Sequence, residues 1–84
     1  MQNDEIKSIL EQGISGSMVM LDGDGTHFSC IVVSDKFAGK NMVQRHQMVY
    51  QALGDKMGRE IHALSIRALT PDEWDRQKDF VVLD

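Results

Sequence analysis

A single cysteine, Cys30, stands in these 84 residues, so an intramolecular disulfide is excluded and a reducing compartment is the natural setting. No apolar run approaches the roughly 18 residues that a membrane span requires. The opening "MQNDEIKSIL" lacks the basic region and apolar core of a signal peptide, so cytoplasmic residence with no membrane partner is expected. No glycine-rich phosphate loop, nucleophile elbow, paired-carboxylate motif or zinc-protease helix occurs, and an enzyme is not expected. Repeats, linkers and low-complexity segments are missing too. The chain reads as one domain over 1–84, with 79–84 as a frayed tail.

What is there belongs to an ordinary globular chain: 42% hydrophobic and 26% charged residues, with a net charge of −4. That charge is unevenly spread. Residues 1–35 set Lys7 against Asp4, Glu5, Glu11, Asp22, Asp24 and Asp35. Residues 36–59 set Lys36, Lys40, Arg45, Lys56 and Arg59 against Asp55 alone. A basic middle between acidic flanks suggests a patch for an anionic partner, and a solvated helix face is the plainer alternative.

The apolar periodicity predicts the elements. Ile6, Ile9 and Leu10 behind Asn3 and Asp4 predict a helix ending near Gly13 and Gly16. "SMVML" (17–21) and "HFSCIVVS" (27–34) predict two strands around the turn "DGDG". In the second strand, Phe28, Cys30 and Val32 alternate with Ser29, Ile31 and Val33, so one face is largely buried and the other partly so. From Asn41 to about Met57 the apolar residues recur at intervals of three, four and seven, an amphipathic helix that Gly58 should stop. "IHALSIRAL" (61–69) predicts a third strand. Thr70, the chain's one proline Pro71, and Glu73 form a capping box that opens a short last helix. A hairpin followed by a strand–helix–strand crossover gives an α+β fold of order αββαβ(α). Its three-stranded mixed sheet should carry helices on one face, with a right-handed crossover and the second and third strands parallel.

The local cluster "GDGTHFSC" tempts with a metal site. Asp22 and Asp24 stand at the first and third positions of a calcium loop, but His27 takes the glycine position and Val33 the bidentate glutamate position. His27 and Cys30 lie three apart on a strand and so point to opposite faces. Cys30, among Phe28 and Val32, reads as a buried small hydrophobe. The topology itself relates two histidines. His27 opens the second strand and His62 the third, so parallel strands bring both to one end of the sheet. They would lie about 5 Å apart if the strands are neighbours and about 10 Å apart if one intervenes. They could be metal ligands or merely exposed strand-end histidines. An iron–sulfur cluster needs four ligands, usually cysteines, so a chain with one buried Cys could hold a cluster only by sharing it.

"HFSCIVVSDKFAGKNMVQRHQMVYQAL" followed by "IHALSIRALTPDEW" closely resembles the BolA-like proteins, nearest to the IbaG-type branch. The resemblance runs from about residue 4 to residue 78. It implies a fold related to the KH domain and, as partner, a monothiol glutaredoxin with which a 2Fe–2S cluster is shared. The glutaredoxin side would bring its cysteine and the thiol of glutathione. This chain would bring His62, in "IHALSI", and a second ligand from the hairpin. Longer family members carry that second ligand as a His or Cys inside an extended loop, whereas the loop here is only "DGDGT". His27 is its nearest substitute, and Cys30 lies beyond it. The resemblance also implies, as an alternative, a DNA-binding regulator working through the long helix and its preceding loop, here Lys36, Lys40, Arg45, His46 and Lys56. Lys36, Lys40 and Arg45 could equally assist docking of the glutaredoxin. Weak homodimer formation by the free protein is left open.

Overall fold

The computed structural model describes residues 2–24, 27–56 and 63–79. The chain forms α1 (Asn3–Gly13), β1 (Met18–Gly23), β2 (His27–Val33), a 3-10 turn (Asp35–Phe37), α2 (Met42–Leu53), a second 3-10 turn (Gly54–Lys56), β3 (Ala63–Leu69) and α3 (Pro71–Gln77). The expected element order is met throughout.

β2 is the central strand. It pairs antiparallel with β1, Met18 opposite Val33 and Gly23 opposite Phe28, and parallel with β3, His27 opposite Ala63 and Val33 opposite Leu69. The period-2 alternation in β2 sends Phe28, Cys30 and Val32 into the main core with Val19 and Ala68. Against that face lie Ile6, Leu10 and Ile14 from α1 and the segment after it, Val49 and Leu53 from α2, and Phe37 from the first 3-10 turn. Gly13 permits the helices to meet: a Cβ there would stand 2.6 Å from Ala52 Cβ.

The other face of the sheet is not left bare. Ile31, Val33 and Leu69 are buried there, and Met20 and Trp74 pack on them. The helical cover expected on one face is therefore supplied by α1 and α2, and the side chain of Trp74 in α3 reaches the opposite one.

Capping sets the helix limits. Asn41 Oδ1 accepts the Gln44 N–H at 2.8 Å and Gln44 Oε1 accepts the Asn41 N–H at 2.9 Å. Thr70 and Glu73 make the expected reciprocal box at the start of α3. α2 ends earlier than its apolar spacing suggests. Gly54 takes φ +58, a conformation that favours glycine, and its N–H returns to the Tyr50 carbonyl. Met57 and Gly58, where the helix was expected to stop, and 80–84, expected to fray, lie outside the described residues.

Candidate functional site

His27 owes its position to the tight connection before β2. Asp24 Oδ1 accepts the His27 backbone N–H at 2.9 Å, and the Asp24 N–H donates to the His27 carbonyl at 3.2 Å. An aspartate folding back on the residue three ahead is a frequent local way to close such a turn. The side chains follow: His27 Nδ1 lies 3.9 Å from Asp24 Oδ2, with the imidazole 72% exposed. An exposed imidazole beside a carboxylate can present a nitrogen to something approaching from solvent.

Cys30 is turned the other way, buried among core residues. Burial pushes its thiol up to about 12, so the thiolate needed for metal ligation or nucleophilic attack is disfavoured. Strand geometry thus separates the two residues that look adjacent in "HFSC". Among the described residues, no three His, Cys, Asp or Glu side chains are grouped to hold a metal ion.

The parallel strands β2 and β3 are direct neighbours. His27 stands opposite Ala63, which follows His62 in the chain. His62 itself lies outside the described residues.

Among the described residues, the basic side chains of the middle segment differ in exposure and engagement. Lys36 and Lys40 are exposed, and Lys36 rims a hollow between α1 and α2 that Ile14, Met48 and Gln51 also line. Lys56 is half-buried beyond the far end of α2. Arg45 is withdrawn from the surface. Its Nε donates to the Lys40 carbonyl at 2.9 Å and its Nη1 to the Ala68 carbonyl at 2.9 Å and to Glu73 Oε1 at 2.6 Å. The guanidinium also sits 6.0 Å from the centre of the Phe37 ring. Expected to meet an outside anion, Arg45 meets internal carbonyls and a carboxylate instead. His46 is half-buried, and its Nε2 is buried with no hydrogen-bond partner.

Glu73 has a second role that its capping position does not announce. Besides capping α3, its carboxylate is the anion that receives Arg45. Arg45 is the only charged residue in the α2 sequence, a signal that pointed as well to an internal partner as to an external one.

The chain belongs to the BolA-like protein family, whose model matches residues 6–73. It is 42% identical over 79 residues to the acid stress protein IbaG of Escherichia coli, covering 93% of this chain and 94% of that protein. It is likewise 42% identical over 59 residues to the DNA-binding transcriptional regulator BolA of Haemophilus influenzae, covering 70% of this chain but 57% of that protein. The solved structure of a BolA protein homologue from Coxiella burnetii superposes with a TM-score of 0.84 at 43% identity, over 90% of this chain and 99% of that one. The relatives bear the names of a stress protein and a regulator, and none of the described helices is long and apolar enough to cross a membrane.

Proposed function

We propose that this chain is a non-catalytic adaptor that binds a monothiol glutaredoxin and shares a 2Fe–2S cluster with it and with glutathione. The setting would be iron–sulfur trafficking or stress-linked regulation. Membership of the BolA-like family supports the reading. So does the donor set: with Cys30 in the core, imidazoles are the nitrogen donors to consider, and the thiolates must come from elsewhere. The cluster would supply electron storage or transferable iron and sulfide, and the chain's part is to hold it by two histidines.

One observation carries the assignment. The parallel register sets exposed His27 across from Ala63, one residue past His62 in the sequence. His62 and His27 are the proposed ligands, and Asp24 accepts a hydrogen bond from the His27 backbone and steadies the turn that carries it. Lys36 and Lys40 are left to assist docking.

The rival reading, a nucleic-acid-binding regulator, draws support from the name of the Haemophilus relative. It is weakened by the withdrawal of Arg45, because phosphate binding needs several cations converging on the surface.

The test is anaerobic assembly of the chain with the host's monothiol glutaredoxin, iron, sulfide and glutathione. The mixed complex should give visible absorption and circular dichroism distinct from those of the glutaredoxin homodimer, and His62→Ala should abolish the difference. An unchanged spectrum in His62→Ala would remove that residue from the ligand set. Retardation of duplex DNA that declines with salt and with Lys36→Glu or Lys40→Glu, in a chain with no affinity for glutaredoxin, would favour the rival.

A further inference from the structure

The outer face of α2 is unusual for this acidic chain because it bears no charge. Among the described residues, the exposed large hydrophobic side chains are Met18, Met42, Val43 and Tyr50, and all but Met18 belong to α2. Val43 is 67% exposed and Tyr50 42%. Val43, Gln47 and Tyr50 fall four and three residues apart and so share one stripe of the helix. The exposed residues alongside, Gln44 and Gln51, are neutral amides. Arg45, which could have charged this surface, is turned inward onto Glu73.

Charge returns at both ends of the stripe with opposite signs. Lys40 precedes the helix and Asp55 follows it in the 3-10 turn. Both are exposed, and among the described residues neither side chain is engaged in an ion pair.

We infer that this face is a self-association surface, on which α2 of a second copy packs antiparallel about a two-fold axis near Gln47. Such an axis makes every contact occur twice. Val43 of one copy meets Tyr50 of the other, the two Gln47 amides meet at the axis, and Lys40 of each copy approaches Asp55 of its mate. A neutral centre suits a symmetric contact, because like residues there face each other and no like charges are brought together. The opposite charges at the ends reward only the antiparallel orientation, since parallel packing would set lysine against lysine. A duplex would find no phosphate-binding cation on the α2 stripe itself.

One helix of 12 residues is about 18 Å long, so the contact falls at the small end of interface sizes and the dimer should be weak, in the micromolar range or above. Self-association would cover Lys40 and the α2 face at high concentration and keep them from other partners. This inference does not rest on cluster sharing, because it invokes no cluster ligand.

Sedimentation of the intact chain from micromolar to millimolar concentration tests it. Wild type should pass from monomer to dimer. Val43→Glu should weaken the dimer about tenfold or more with an unchanged far-ultraviolet spectrum, because two carboxylates would enter the apolar contact. Lys40→Asp and Asp55→Lys should each weaken association, and the two together should restore it. Gln47→Cys should cross-link to itself on mild oxidation much faster than a Lys7→Cys control, while Cys30 stays buried. Monomer at millimolar concentration, a dimer unaffected by Val43→Glu, or no preference for the Gln47→Cys cross-link would each overturn the inference. So would a wild type that stays monomeric yet loses binding to duplex DNA or glutaredoxin in Val43→Glu, which would assign the face to that partner.

Discussion

Glu73 Oε1 accepts from Arg45 Nη1 at 2.6 Å and from the Thr70 backbone N–H at 2.8 Å, so one carboxyl oxygen both caps α3 and ties it to α2. The same guanidinium reaches the Ala68 carbonyl in β3 and the Lys40 carbonyl ahead of α2. A single side chain therefore joins a helix start, the end of a strand and the last helix.

Replacing Arg45 by Ala should destabilise the fold by about 2–4 kcal/mol in urea unfolding. It would leave the Ala68 carbonyl, which lies in the interior, and the Glu73 carboxylate without their partner. A loss below about 0.5 kcal/mol would rank the pair with ordinary surface bridges.

The same pair predicts an acid dependence. The hydrogen bond from Arg45 is the chief reason that Glu73 is held down, from an ordinary 4.5 to about 2, with help from the Thr70 backbone. A carboxyl lowered in the folded state stabilises above its unfolded pKa, and that contribution fades as pH falls through the folded one. The stability gap between wild type and Glu73→Gln should be widest near neutrality and close between about pH 4.5 and pH 2. Gln can still serve in the capping box, so the variant isolates the charge. A gap that stays constant across that range would contradict the assignment.

The contact of α1 with α2 is limited by Gly13. A Cβ added there stands 2.6 Å from Ala52 Cβ and 3.1 Å from its Cα, so the helices must separate. Gly13→Ala should cost about 1–3 kcal/mol by overpacking, which outweighs the gain of under about 1 kcal/mol from helix propensity. Ala52→Gly in the same chain should recover part of that loss, and a double-mutant cycle in urea measures the coupling.

Cys30 should react with a thiol reagent orders of magnitude more slowly in the native chain than in denaturant, since burial both shields it and holds the thiol near 12. Cys30→Ala should leave assembly with glutaredoxin spectroscopically unchanged. Loss of the mixed-complex signal in that variant would return Cys30 to the ligand set in place of His27.

Much of this fold was legible because local chemistry decided it. Phe28, Cys30 and Val32 alternate strictly, and the turn and crossover then orient the strands. Thr70, Pro71 and Glu73 announced a helix start by spacing alone. The end of α2 was misplaced because Met57 prolonged the apolar period, whereas the backbone turned at Gly54. Arg45 was misread for a tertiary reason: Ala68 and Glu73 lie 23 and 28 residues downstream, and nothing near Arg45 names them. For the candidate site, periodicity placed His27 at the head of β2, and only the sheet order made β2 and β3 direct neighbours.

The central claim is that histidine nitrogens of this chain ligate a shared cluster. Pulsed electron paramagnetic resonance of the reduced mixed complex tests it, with 15N-histidine placed in this chain alone. Directly coordinated 15N should be detected in wild type, with one coupling lost in His27→Ala and another in His62→Ala. A spectrum free of 15N coupling would show that this chain supplies no histidine ligand, and the account of the site would fall.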